Sequence, residues 1–281
     1  MNRFGKISRF EIVAACSKHG KTFIKDSFFT SPFKIMKPFF KDDGSIFVFQ
    51  QSSSPGILAG DIQEHRIMIE ENVKIEILSQ SFEKIFKMAD GEEGKRKIHG
   101  EVAENATLIY EPLPCIPFAG SDFHSEAEIF LKDESSRLVY EDILCGGRIA
   151  HGEIFDYRSY QNLIEVRRKG KLIFRDNSFF EGSDGGRNPE AKKILQSEIM
   201  FSDFSHSGML LIFGFEKTLQ EIREILNLEE KLLYAQEKSE PVSEILCEAS
   251  ETDSADIVIR AFSHSAESIQ NLFDKVKDFI R

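Results

Sequence analysis

"RIMIEENVKIEIL", residues 66–78, sets Ile67, Ile69, Val73, Ile75 and Ile77 on one parity and mostly charged or polar side chains on the other. A period of two belongs to an extended strand with one buried face, whereas a helix repeats its apolar residues every three to four positions. The stretch is therefore β. Similar alternation recurs at 45–50, 106–110, 127–131, 137–144 and 163–167, and "VRRKGKLIF" reads as two strands joined at Lys169-Gly170.

"ENVKIEIL" from Glu71, "ENATLIY" from Glu104 and "ESSRLVY" from Glu134 each put a polar turn before an alternating strand, at spacings of 33 and 30 residues. A stack of β layers produces such spacing, and a plain meander also yields look-alikes; the expectation is layers. "EGSDGGRNPEA" (181–191) is expected to be an exposed, flexible loop. In "EKTLQEIREILN" (216–227), Leu219, Ile222, Ile225 and Leu226 fall at helical intervals, with Thr218 as cap and Glu221 three residues on. "VSEILCEA" and "DIVIRAF" read as strands, and Ile269, Leu272, Phe273, Val276, Phe279 and Ile280 form one face of a closing amphipathic helix. The expected fold is one domain over residues 1–281, mainly β, with a layered, β-helix-like (solenoid-type) sheet arrangement and about two α-helices near the C-terminus. Most of the 26 phenylalanines are assigned to the core.

Hydrophobic residues make up 41% and charged residues 30% of the 281, enough to bury a core. A net charge of −11 with scattered Lys and Arg argues against nucleic acid, which demands a concentrated positive footprint. Cys16, Cys115, Cys145 and Cys247 lie far apart with no C-x-x-C pair, which fits a reduced, cytoplasmic protein. "RFEIVAACS" (9–17), behind Arg3, Lys6 and Arg9, mimics a lipoprotein cleavage site, but Glu11 interrupts its short apolar stretch and it reads as a first strand. "MLLIFGF" (209–215) falls far short of the roughly 20 residues that cross a bilayer, so no membrane segment is expected.

"CGGRIAHGEIF" (145–155) crowds glycines with Arg148, His151 and Glu153. Gly147 and Gly152 have P-loop spacing, yet Glu153 and Ile154 stand where a lysine and a hydroxyl would grip phosphate, and a carboxylate repels it. No second histidine completes a metal shell around Cys145, His151 and Glu153. Glu141, Asp142 and Glu153 offer acid and base to a carboxylate-dependent carbohydrate-active enzyme on a β-solenoid. Chance neighbours among 47 acidic residues explain them as well, and a chain without tryptophan and with five tyrosines has few sugar platforms. "SSPGILAGD" (53–61) offers a Pro55-Gly56 turn and Asp61, and Ser79, Gln80 and Ser81 follow an alternating strand. Such oxygen donors hold divalent cations weakly, which suits passage better than storage.

Taken in order, "DSFFTSPFKIMKPFF" (26–40), "SPGILAGD" (54–61), "SQSFEKIFK" (79–87), "YEPLPCIPFAGSDF" (110–123), "LCGGRIAHGEIF" (144–155), "EVRRKGKLIFRDN" (165–177) and "VIRAFSHSAESI" (258–269) resemble the urease accessory protein family UreD, also called UreH. The likeness runs from about residue 20 to the end. It departs at Gly56-Ile57 and Ala59-Gly60, where the family commonly has double glycines, and at Ser79, often threonine. The resemblance implies a non-catalytic scaffold that joins a UreF-type accessory protein and a UreG-type GTPase to apo-urease subunits and helps pass nickel to the urease active site. It implies no tightly bound cofactor, nickel only in transit, GTP used by the partner GTPase, and two copies in a larger complex. It further implies an internal polar route, with Asp61, Ser79, Gln80, Ser81, Glu141, Arg148 and Glu153 as candidate lining residues. Arg148 and Glu153 are expected to sit buried and paired at its wall, because unpaired buried charge is costly.

Overall fold

Each alternating strand hides one parity of its side chains, so a second sheet must cover the first, and the chain supplies both by crossing back and forth. The computed structural model describes residues 7–236 and 245–281. In chain order its strands begin β1 (Ile7–Cys16), β2 (Thr22–Phe29), β3 (Phe33–Ile35), β4 (Phe39–Phe40), β5 (Ile46–Ser52), β6 (Ile62–Ile69), β7 (Lys74–Ser79), β8 (Glu83–Ile85) and β9 (Gly94–Val102). They continue as β10 (Thr107–Glu111), β11 (Cys115–Pro117), β12 (Asp122–Leu131), β13 (Arg137–Cys145), β14 (Ser159–Arg168), β15 (Lys171–Glu181), β16 (His206–Phe213), β17 (Ile245–Glu251) and β18 (Ile257–Ser263). The helices are α1 (Pro189–Leu195), α2 (Leu219–Gln236) and α3 (Ala266–Ile280).

One sheet has the order β15-β14-β12-β9-β6-β1-β2 and the other runs β17-β18-β16-β13-β10-β7-β5-β3. Their central pairs, β6 with β9, β9 with β12, β12 with β14, and β5 with β7, β7 with β10, β10 with β13, are all parallel. This is a stacked coil, the expected β-solenoid. The sequence repeat is its coil: Lys74 lies beside Thr107 and Thr107 beside Arg137, offsets of 33 and 30 residues. The turns stack as well. Asn72 and Asn105 both take left-handed backbone, with φ of 61° and 54°, a conformation in which asparagine is enriched. The Asn72 amide donates to the Glu104 carbonyl at 3.2 Å, and the Asn105 amide to the Ser135 hydroxyl at 2.8 Å. Antiparallel strands close both ends, β2 on β1 at one and β15 on β14 at the other, the latter through the Lys169-Gly170 turn.

The core between the sheets is built from the inward parity, including Ile12, Ile67, Ile75, Leu108, Leu138 and Val166. On the outer face of the second sheet α3 lays Ile269, Leu272, Phe273 and Val276 against Val139, Ile143, Leu210 and Ile212. The capping box holds: the Thr218 amide donates to Glu221 Oε2 at 2.8 Å, and the Glu221 amide to Thr218 Oγ1 at 3.2 Å.

Three features differ from the sequence reading. Segment 181–191 is not wholly an exposed loop, since Gly182 and Ser183 are buried and Pro189 opens the unanticipated α1, capped by Asn188. Residues 242–244 of "VSEILCEA", with Arg3 and Lys6, lie outside the described residues. Fewer phenylalanines than expected are core: among the described residues Phe10, Phe33, Phe123, Phe155, Phe201, Phe213 and Phe273 are buried and Phe174, Phe180, Phe215, Phe262 and Phe279 pack half-buried against the core, while Phe23, Phe28, Phe29, Phe39, Phe40, Phe82 and Phe179 are exposed. No helix among the described residues is long and apolar enough to cross a membrane, and all four cysteines are free thiols.

The contact between α3 and the sheet depends on Gly208, where a Cβ would lie 2.5 Å from Ile269 Cγ2 and 3.0 Å from the Phe273 ring. Overpacking of this kind costs about 1–3 kcal/mol. Gly208→Ala should therefore lower the unfolding free energy by that amount, seen as a lower urea midpoint with an unchanged m-value, and a midpoint equal to wild type would show that α3 can move aside.

Candidate functional site

The period of two in β13 sends its adjacent acids to opposite sides. Glu141 faces outward with Val139 and Ile143, under α3, where its Oε2 lies 2.7 Å from Lys277 Nζ. The same ammonium meets Glu111 at 3.1 Å and Asp274 at 2.8 Å. Glu111, Glu141 and Asp274 form the one grouping of three ligand-type residues among those described, and a lysine already fills its centre. Burial pushes the Glu141 carboxyl up to about 7, with Lys277 drawing it back only in part. Burial disfavours the charged lysine, but Glu141 and Glu111 outweigh it and hold Lys277 above its ordinary range.

The "CGGRIAHGEIF" segment folds into a tight loop. Gly147, at φ 140°, has no room for a Cβ, which would lie 2.6 Å from the Glu153 carbonyl. The single turn Ile149–His151 follows and ends on Gly152 in left-handed backbone. Arg148 grips Glu153 with two N–H groups, Nε donating to Oε2 at 2.8 Å and Nη2 to Oε1. Its guanidinium lies 4.2 Å over the Phe118 ring. The pairing is as expected and the burial is not: the two side chains are 37% and 20% exposed. Hydrogen bonding to Arg148 holds the Glu153 carboxyl below its ordinary range.

The remaining candidates scatter. Asp61 Oδ2 closes a turn by accepting from the Leu58 amide at 2.8 Å. Ser79 is half-buried opposite Gln50, and Gln80 and Ser81 are exposed. Apart from the Arg148–Glu153 pair, the seven do not line a common space.

The residues that do share an interior space were not singled out, apart from Asp142. Ser8, Gln63, Arg96, Ser125 and Asn162 form one cross-strand row over β1, β6, β9, β12 and β14. All five are buried, and all lie on the parity that elsewhere carries the apolar core. Facing them, Gln50, Tyr110, Tyr140 and Asp142 occupy the inward parity of the second sheet. Contacts between the sheets include His65 Nδ1 with the Tyr110 hydroxyl at 3.2 Å, Asp142 with Asn162, and Arg96 with Glu83 of β8. Arg96 donates to Gln63 at 2.9 Å and to Glu83 at 2.5 Å. Gln50 Oε1, His65 Nε2 and Asn162 Oδ1 are buried without a hydrogen-bond partner. Asp142 points inward yet is only half-buried, so accessible space borders it. Enclosure pushes its carboxyl up to about 6 although the Asn162 hydrogen bond pulls it down, and burial, helped by Arg96, keeps His65 neutral. The sequence signal is a polar residue on an apolar parity.

A family model described as UreD urease accessory protein matches residues 8–281. This chain belongs to the UreD family. It is 30% identical over 279 residues to the urease accessory protein UreH of Helicobacter pylori strain P12, covering 99% of this chain and 97% of that protein. Its identity to UreD of Acetivibrio thermocellus is 38% over 179 residues, 63% of this chain and 67% of that protein. UreD of Actinobacillus pleuropneumoniae is 27% identical over 277 residues, 98% and 97% of the two chains. The role of a UreD-family chain is that of a urease accessory protein.

Within this UreD-family chain the Lys277 cluster acts as a structural tie. Removing one partner of a buried pair costs about 3–5 kcal/mol. Lys277→Met should lose that much stability at pH 8. Glu141 has a raised folded pKa, so it contributes stability below its unfolded pKa that is lost as pH rises through the folded value, and more so without Lys277. The deficit should shrink at pH 5, and urea unfolding at both pH values checks it; an equal deficit would assign the loss to packing alone.

Proposed function

We propose that this UreD-family chain is a non-catalytic cytoplasmic scaffold that joins a UreF-type accessory protein and a UreG-type GTPase to apo-urease, two copies entering the larger complex. In this reading the belt between the sheets passes nickel toward the urease active site, and GTP is used by the partner GTPase. The belt is the observation that carries the reading. Polar side chains occupy positions that strand periodicity gives to apolar ones, and three of their atoms lack protein partners. Each such orphan costs about 1–3 kcal/mol, so water or a passing cation is the natural complement. With His65 as its single imidazole among the described residues, a belt of amide, hydroxyl and carboxylate donors lacks the clustered His and Cys ligands that grip a late transition metal tightly, as a hand-on route requires. The carbohydrate-active alternative finds no support here: Glu141 and Asp142 face opposite ways, and Glu153 is spent on Arg148.

Asp142 tests the belt. Its carboxyl is raised from 3.8 to about 6, so its favourable contribution is present below 3.8 and lost as pH rises through 6. The neutral isostere Asp142→Asn should gain about 1–3 kcal/mol relative to wild type at pH 7.5, the gain fading below pH 4. Co-expressed with UreF-type and UreG-type proteins and apo-urease, it should still form the complex while urea hydrolysis at limiting nickel falls several-fold. Full activation by an intact variant complex would remove the route, and a wild-type chain that neither co-purifies nor activates would remove the scaffold.

A further inference from the structure

Four stretches distant in sequence meet at a surface cleft of about 690 Å³, which holds Phe86, Lys87, Phe118, Arg148 and Arg187. The rings of Phe86 and Phe118 lie 4.9 Å apart, and Arg148 stacks 4.2 Å above Phe118, so three flat groups form one wall. The pair with Glu153 fixes Arg148 but leaves it 37% exposed. Arg187 is held by Asp184 at 2.9 Å and by Asp90 at 2.8 Å.

Lys87 differs from both arginines. Among the described residues no carboxylate lies within ion-pair distance of it, and Asp90 feels its charge only from farther away. Gly120, at φ 71°, leaves room for its aliphatic stem: a Cβ there would come within 3.3 Å of Lys87 Cγ. Arg148 and Arg187 are thus answered by Glu153, Asp184 and Asp90, and Lys87 is the cleft's cation without an ion-pair partner among the described residues. A small anion would use Lys87 and ignore the aromatic wall; a peptide segment with a carboxylate beside an apolar side chain uses both.

We propose that this cleft docks an acidic segment of a partner protein, a carboxylate meeting Lys87 and the open edge of Arg148 while an apolar side chain lies on the Phe86–Phe118 wall. The proposal rests on the scaffold reading and adds the surface and the chemistry of the partner.

The test uses the full chain, immobilised through a tag, and measures binding of purified UreF-type protein, UreG-type protein and apo-urease by interferometry. Lys87→Glu breaks no ion pair among the described residues and should weaken one of these partners at least tenfold, with a smaller salt dependence than wild type. Lys34→Glu makes the same charge change on an exposed residue of the edge strand β3 and should bind as wild type. Equal weakening by both variants would reduce the effect to net charge and overturn the proposal. Wild-type affinity in both would overturn it while the scaffold stands, and a wild-type chain that binds none of the three proteins would overturn both.

Discussion

Parallel strands stacked coil on coil draw their backbone hydrogen bonds from the coil before and the coil after, so no coil is complete alone. Everything else in the molecule answers to that register. Turn residues must recur at matching places, which is why Asn72 and Asn105 share one backbone conformation and why each turn is hydrogen-bonded to the next. The ends need different solutions because a neighbour is missing on one side. Antiparallel strands supply it, with β3 and β4 beside β5 at one end of the second sheet and β16, β18 and β17 beyond β13 at the other. The latter end carries α2 and α3, which bury the outward parity of β13 and β16.

How much of this could be read from sequence follows from which features are local. Alternation and a recurring polar turn are local, so the coil and its 33- and 30-residue offsets were legible. The capping box of α2 is local too. The short α1 was missed because its Asn188 cap sits in a Gly- and Asp-rich run and only Ala191 and Leu195 mark a buried face. The phenylalanines of β2 and β4 carry a core signature, but they lie at the end of the stack, and no parity rule sees an absent neighbour. At the candidate site, the Arg148–Glu153 pair spans five residues of a glycine turn and was legible, whereas its exposure depends on what covers the loop. Lys277 lies 136 residues from Glu141, so nothing near the acid announces its partner. His65, Arg96, Ser125 and Asn162 were legible in principle, each interrupting the buried parity of its own strand.

Two kinds of interior polarity result, and their energetics differ. The Lys277 cluster is closed: three carboxylates converge on one ammonium, and the arrangement fixes how α3 lies on its sheet. The belt is open, with acceptors and an imidazole nitrogen left over and an acid whose charged form is disfavoured. A closed network holds a fold in place; an open one sacrifices stability at positions where Ile or Val would pack.

That contrast falls between neighbours. Glu141 and Asp142 are adjacent acids on one strand, and composition or motif gives no reason to separate them. The register of β13 does: opposite Leu210 on the outward side, Glu141 is locked beneath α3, and opposite Met209 on the inward side, Asp142 meets Asn162 across the gap between the sheets. A slip of one residue would exchange the two, placing the structural acid in the interior and stripping Lys277 of its closest partner. The parallel pairing of β13 with β10 and its antiparallel pairing with β16 forbid that slip. The division between closed and open interior charge in this chain is thus a consequence of strand register.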